Sequence, residues 1–209
     1  MNNYEFITLE GIEGVGKSTA IQVVKKILEG KGRDVIITRE PGGTAIGEKI
    51  RDILLSTQNN EMSSLSELFL LLAARAQHID EVVSPALTAG KCVICDRFFD
   101  ATFAYQGAGR GLDTSIIKAA TDLISPFFIP TLTILLDAPV DVGSKRIETR
   151  SQTDRFEEQN NAFFERIRDS YLNRAQLEPQ RFSIVDASQT LGDVSGRIEL
   201  ILNEKFDTL

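Results

Sequence analysis

No apolar run in the 209-residue sequence approaches the roughly 20 residues that a bilayer-spanning helix needs. The first residues, Met1-Asn2-Asn3-Tyr4-Glu5, show no basic stretch followed by an apolar core, so no signal peptide is expected and the expected location is the cytoplasm. Cysteine is scarce: Cys92 and Cys95 are the only two, with no second pair to complete a metal site. They lie in the apolar run Cys92-Val93-Ile94-Cys95, which reads as a buried strand. Side chains three apart on a strand leave opposite faces, so the two thiols are expected to be buried and unable to form a disulfide or grip one metal. Histidine is scarcer still. The single His78 falls in a helical pattern away from every motif and is expected to be structural or at the surface. Basic residues are also outnumbered, 23 Lys plus Arg against 30 Asp plus Glu, for a net charge of −7. Coating a DNA or RNA polymer needs a broad basic footprint, so that class is excluded. Small anions are not, because recognition depends on where charges converge and a charge sum averages over the surface.

What remains is a soluble globular composition, 42% apolar and 25% charged, of a length suited to one domain. Short runs rich in Val, Ile and Phe, without polar alternation, are expected as buried parallel strands at Phe6–Glu10, Val35–Thr38, Cys92–Asp96, Leu132–Asp137 and Phe182–Asp186. Between them the pattern predicts helices over Ser18–Lys31, Gly47–Ser56, Ser64–Ala89, Thr114–Ser125, Val140–Thr149, Asn160–Leu177 and Val194–Phe206. Gly47 blurs the start of the second, and Pro85 is expected to kink or end the third. The alternation implies an α/β fold with a parallel sheet. The polar segment Thr149–Asn161 reads as a mobile loop inside the domain.

The strongest motif is Gly11-Ile12-Glu13-Gly14-Val15-Gly16-Lys17-Ser18, which fits G-x-x-x-x-G-K-[ST] between an apolar strand and a helix. The glycines let the backbone turn its N–H groups inward, making an anion cradle at a helix N-terminus. Lys17 adds a point charge for the terminal phosphates, and Ser18 offers a hydroxyl for Mg²⁺. No Asn-Lys-x-Asp guanine reader accompanies it. The nearest string, Asn203-Glu204-Lys205-Phe206-Asp207, has the wrong spacing.

Fourteen arginines stand against nine lysines. Arg39 and Arg97 follow predicted strands at their carboxyl ends, where open α/β sheets bind ligands. The planar guanidinium donates in pairs to phosphate, so a second phosphate site beside the cradle is expected. Asp96 ends an apolar strand and is a candidate Mg²⁺ ligand; Asp137, in the same setting, is its rival. Arg146, Arg150 and Arg155 fall in or beside the polar segment. Interleaved with Glu148, Asp154, Glu157 and Glu158, they read either as a solvated charged stretch or as a lid carrying an arginine to the transferring phosphoryl group.

Several strings in this order narrow the reading: Glu10-Gly11-Ile12-Glu13-Gly14-Val15-Gly16-Lys17-Ser18-Thr19, Arg39-Glu40-Pro41-Gly42-Gly43-Thr44, Ala73-Ala74-Arg75, Asp96-Arg97-Phe98, Ala104-Tyr105-Gln106-Gly107 and Asp154-Arg155-Phe156-Glu157. The chain resembles the bacterial thymidylate kinases, P-loop nucleoside monophosphate kinases, over essentially its whole length. The resemblance implies a three-layer fold with a five-stranded parallel sheet and a short mobile lid near residues 146–161, all within one domain spanning 1–209. It also implies a homodimer, and ATP-dependent phosphorylation of dTMP to dTDP with Mg²⁺.

The resemblance further implies roles. Gly11, Ile12, Glu13, Gly14, Val15, Gly16, Lys17, Ser18 and Thr19 hold the ATP phosphates, with Arg146 on the same side. Arg97 bridges the acceptor and transferring phosphates, and Arg39, Arg51 and Arg75 surround the dTMP, Arg75 near the base. Glu13 contacts the deoxyribose 3′-hydroxyl, Tyr105 crowds the sugar 2′ position, and Thr102 and Gln106 address the thymine edge. Arg150 is the lid arginine, in keeping with a P-loop interior that lacks one. Two positions depart from the pattern. Leu71 stands where relatives stack an aromatic ring on thymine; it shares a helix face with Arg75 and still offers apolar contact. Phe69 lies roughly 200° around that helix and does not replace it. Glu148 stands where relatives of this subgroup carry a further lid arginine. The alternatives are a kinase for another nucleoside monophosphate, or a P-loop ATPase or switch module that turns over nucleotide without an acceptor.

Overall fold

The computed structural model describes residues 5–124, 128–147 and 154–206. Five parallel strands form one sheet: β1 (Phe6–Glu10), β2 (Val35–Arg39), β3 (Cys92–Asp96), β4 (Leu132–Asp137) and β5 (Phe182–Asp186), in the order β2-β3-β1-β4-β5. β1 and the body of β3 and β4 are buried, which explains why their runs are mostly apolar and do not alternate, while edge strands β2 and β5 are partly exposed. Thr8 and Thr133, two buried polar residues of the central strands, meet across β1 and β4 with hydroxyls 2.8 Å apart.

Helices flank both faces: α1 (Lys17–Gly30), α2 (Ala45–Leu55), α3 (Ser64–His78), α4 (Ser84–Thr88), α5 (Phe99–Thr102), α6 (Thr114–Ile124), α7 (Val140–Ile147), α8 (Asn161–Leu177) and α9 (Leu191–Phe206). The two faces of the sheet feed separate apolar clusters. Ile7, Leu9, Cys92 and Ile94 pack with α1, α8 and α9, whereas Phe6, Val93, Cys95 and Phe98 pack under Ile79 and Val83. The two cysteines thus lie on opposite faces, buried and free, as the strand reading requires. Burial pushes the Cys92 thiol up to about 12 and Cys95 well above its ordinary value. No described helix is long and apolar enough to cross a membrane.

The structure refines several boundaries. Pro85 does not end the third helix. A wide π turn over Ile79–Val83 precedes it, and Pro85 then occupies the first turn of α4, where a missing N–H is tolerated. Thr44 caps α2 by accepting from the Gly47 amide at 2.9 Å, and a Cβ on Gly47 would meet the Gly42 carbonyl at 2.7 Å, so the glycine that blurred this helix start is a packing requirement. β2 runs on to Arg39, and α9 begins at Leu191, ahead of Val194. One segment was not anticipated: α5 and the π turn Phe103–Gly109 form a helical stretch directly after β3. Its two glycines, Gly107 and Gly109, with Gly111 just beyond, masked the period. The expected helix ends at Ser125 and Thr149 lie outside the described residues.

Candidate active site

The site grows from the register of the central strands. Leu9 pairs with Asp96, so β1 and β3 end side by side and deliver the glycine loop and Arg97 to one edge of the sheet. The Arg97 amide donates to the Leu9 carbonyl at 3.0 Å, and its φ of 68° puts this non-glycine residue in the left-handed region. A strained backbone at this position aims the side chain back across the loop.

The loop itself is held by backbone against backbone. A Cβ on Gly14 would meet the Gly143 carbonyl at 2.3 Å, and a Cβ on Gly143 would meet the Glu13 carbonyl at 2.5 Å. Only glycine at both positions lets α7 touch the loop. Gly16 then caps α1 in the left-handed conformation, φ 94°, leaving the first N–H groups of the helix aimed outward. Lys17 curls back so that Nζ donates to the carbonyls of Gly11 at 3.0 Å and Ile12 at 2.8 Å. Burial, and after it the charge of Arg97, pulls the Lys17 ammonium down to about 8. Ser18 and Thr19 are exposed at the helix start, while Ile12 and Val15 face the core.

A cleft of about 510 Å³ opens from this loop. Across it, Arg97 donates through Nη1 to the Gly11 carbonyl at 2.8 Å and to the Tyr171 hydroxyl at 3.1 Å, and through Nη2 to Glu13 Oε1 at 2.9 Å. The Tyr105 hydroxyl bonds both oxygens of Glu13 at 2.7 Å, and its ring lies under the Arg97 guanidinium at 4.8 Å. Behind them, Glu10 accepts from the Phe98 amide and from Tyr171, each at 2.7 Å. Burial, with the charge of Asp100 second, pushes Glu10 up to about 8.

Arg75 is buried on α3. Its Nε donates to Glu40 Oε2 at 2.7 Å and its Nη2 to Thr102 Oγ1 at 3.0 Å, while Nη1 has no partner. Glu40 Oε1 accepts from His78 Nδ1 at 2.9 Å, and His78 Nε2 meets Thr38 Oγ1 at 2.6 Å. His78 is thus fully buried and structural, not at the surface. Arg51 donates to the Pro41 carbonyl at 2.9 Å and, like Leu71 and Gln106, lines the cleft. Arg39 also lines it but is exposed and paired with Glu48 at 2.7 Å, which draws the Glu48 carboxyl below its ordinary range. Phe69 points away, 61% exposed.

Asp96 lines the cleft, and its Oδ1 is buried without a partner. The rival, Asp137, is held by Arg168 through two bonds of 2.7 and 2.9 Å and does not line the cleft. An orphaned carboxylate oxygen lining the same cleft as an exposed serine hydroxyl suits a hard divalent cation. Arg146 lines the cleft and reaches the Gly14 carbonyl at 3.3 Å. Arg155 is buried against Glu67 at 2.5 Å and the Leu54 carbonyl at 2.9 Å, so it is an anchor rather than a group free to travel. Arg150 and Glu148 lie outside the described residues.

Sequence reasoning missed Glu10, Tyr171, Glu40 and Glu67, which support site residues without being exposed to the cleft themselves, Glu40 excepted. The available signal was a charged residue at a core position: Glu67 and Arg75 fall on the same buried stripe of α3 as Leu68 and Leu72.

A family model described as Thymidylate kinase matches residues 9–198. The chain is 48% identical over 202 residues to the thymidylate kinase of Pseudomonas syringae pv. tomato, covering 97% of this chain and 96% of that one. It is 50% identical over 199 residues to the thymidylate kinase of Alcanivorax borkumensis, covering 95% and 96%. Among solved structures it resembles the thymidylate kinase of Ehrlichia chaffeensis, with a TM-score of 0.76 and 33% identity over 95% of this chain and 98% of that one.

Proposed function

The chain belongs to the thymidylate kinase family, whose reaction is the phosphorylation of dTMP to dTDP, and from that premise we propose how its residues divide the work. The whole chain is one kinase domain, working in the cytoplasm, with ATP as donor. The glycine loop from Gly11 to Thr19 receives the ATP phosphates, Lys17 leaving its loop carbonyls for the transferring phosphate and Arg146 lying alongside. Ser18 and Asp96 would hold Mg²⁺, which when bound neutralises charge on the donor phosphates.

The acceptor is itself a phosphate with a second pKa of about 6, so it is already ionised at neutral pH and no strong general base is required. The obstacle is the meeting of two anions. Arg97 stands between the cradle and the acceptor side, and Arg39 and Arg51 draw the dTMP phosphate toward it. Arg150 completes this charge from the lid segment near residues 146–161, whose later part is tied down by Arg155. Glu13 takes the 3′-hydroxyl, Tyr105 crowds the 2′ position, and Leu71, Arg75, Thr102 and Gln106 surround the base.

The observation that carries this reading is the convergence of Lys17, Arg51, Arg75, Arg97 and the unpartnered Asp96 carboxylate on one cleft beside the glycine loop. An ATPase or switch module has no use for the arginines away from the loop. The test is ADP release measured with dTMP, dUMP, dCMP, dAMP and dGMP as acceptors. ADP release should depend on acceptor and favour dTMP; equal release without acceptor, or preference for another monophosphate, would reject the reading.

We also infer a homodimer. Ile46 and Ile53 on α2, Leu65 and Phe69 on α3, and Ile116 and Leu123 on α6 are exposed, each pair on one face of its helix, and these helices pack side by side. A second copy of the same surface would cover them by two-fold symmetry.

A further inference from the structure

Glu67 lies one turn before Leu71 and two before Arg75 on the same stripe of α3, and it is wholly buried. Its Oε1 accepts from Gln106 Nε2 at 2.8 Å and from Arg110 Nε at 3.4 Å. Its Oε2 accepts from Arg155 Nη2 at 2.5 Å, with Arg110 Nη2 a further 3.3 Å contact. Every neighbour is a donor, and a carboxylate between guanidiniums only accepts. The two ends of a glutamine amide are alike in shape, and their assignment follows from the partners. Here the partner leaves one assignment: the NH₂ end of Gln106 meets Glu67, and the carbonyl oxygen has no protein partner among the described residues. Gln106 lines the cleft, so that oxygen is the group it offers there.

Arg75 offers the complement. With Nε held by Glu40 and Nη2 by Thr102, its remaining nitrogen, Nη1, is an unpaired donor. The base end of the cleft therefore presents one donor and one acceptor of fixed polarity.

We propose that Glu67 is a specificity-determining residue: by fixing the Gln106 amide with its oxygen free, it selects a pyrimidine whose ring N–H adjoins a carbonyl oxygen. Thymine and uracil carry that edge. Cytosine carries the reverse, a ring lone pair beside an amino group, and would set acceptor against acceptor at Gln106 and donor against donor at Arg75. An unmet buried polar group is costly, so a reversed edge is rejected more strongly than a missing methyl. Glu67 acts through Gln106 without touching substrate, and the proposal rests on the reading of Gln106 as a base-facing residue.

The test compares kcat/KM for dTMP, dUMP and dCMP in the wild type, Glu67→Gln and Gln106→Met. A glutamine at 67 both donates and accepts, so Gln106 can turn over. The dTMP to dCMP ratio is expected to fall about tenfold in Glu67→Gln, one hydrogen bond's worth, with the dTMP to dUMP ratio unchanged. Loss of the Arg155 anchor alone would lower all three substrates together and leave both ratios intact. That result, with a ratio that does fall in Gln106→Met, overturns the role of Glu67 and leaves the base reading standing. A dTMP to dCMP ratio untouched in Gln106→Met rejects the base reading and the proposal with it. Should Glu67→Gln not fold, the wild-type protein decides by NMR. The Gln106 side-chain NH₂ signals, identified by their loss in Gln106→Met, should exchange slowly with solvent and stay in place when dTMP is added. Exchange at the rate of an exposed amide, or a large shift on dTMP binding, overturns the proposal.

Discussion

Glu40 Oε2 accepts from Arg75 Nε at 2.7 Å, and both side chains are at most 5% exposed. The other carboxylate oxygen takes His78, so Glu40 joins β2's end to α3 at two points. Gly43 packs onto the same group, since a Cβ there would meet Thr38 Oγ1 at 2.7 Å and His78 Cδ2 at 2.8 Å.

Removing one partner of a buried ion pair leaves the other charge uncompensated. Glu40→Ala is therefore expected to destabilise the fold by about 3–5 kcal/mol. Urea unfolding checks this; a loss under about 1 kcal/mol would put the pair in the class of surface bridges and reject its structural role.

Arg97→Ala should lower turnover about 10³-fold, the scale on which arginines stabilise transferring phosphoryl groups, while far-ultraviolet circular dichroism stays that of the wild type. Near-normal turnover in the folded variant would remove Arg97 from the mechanism.

Lys17 supplies a pH prediction. Its free-state pKa of about 8 is low because the ammonium is buried and faces Arg97. A phosphate against Nζ favours the charged form and raises it again. Above about pH 8, ATP binding should take up a proton; well below, where Lys17 is already charged, that uptake should vanish. Binding heats measured in buffers of different ionisation enthalpy report it. Uptake that does not change between pH 6.5 and 8.5 would count against Lys17 as the group responsible.

Phe69 is the most exposed ring on the proposed dimer face. Phe69→Asp should convert the dimer to a monomer in sedimentation equilibrium without lowering the unfolding temperature of the monomer, because the side chain contributes little to its own core. A mass unchanged from the wild type would locate the interface elsewhere.

The sheet was readable because β1, β3 and β4 are covered on both faces and spell that out in mostly apolar runs without polar alternation. The glycine loop was readable because its backbone turns demand glycine at fixed spacing. Leu71 on the cleft with Phe69 turned away follows from helical geometry alone. The helical stretch after β3 was not readable, since Gly107, Gly109 and Gly111 interrupt the local pattern and burial against α8 overrides it. Nor were the supports of the site. Glu67 reaches Gln106 and Arg155 across 39 and 88 residues, and Tyr171 reaches Glu10 across 161. Only folding brings these partners together; the charge of Glu67 on the apolar stripe of α3 marks it as unusual, but nothing in the chain names its partners. The rival carboxylates Asp96 and Asp137 look alike in sequence; Arg168, contributed by α8, is what separates them.

The placement of Cys92 and Cys95 on opposite sides of β3 has a practical consequence. Each thiol is sealed in a different apolar layer, and burial keeps both from forming the reactive thiolate. A thiol-labelling reagent will therefore ignore folded molecules and mark opened ones at two sites. Because the layers are separate, peptide mapping of the label would reveal whether one side of the sheet loosens before the other, a native clock for the order in which this enzyme comes apart.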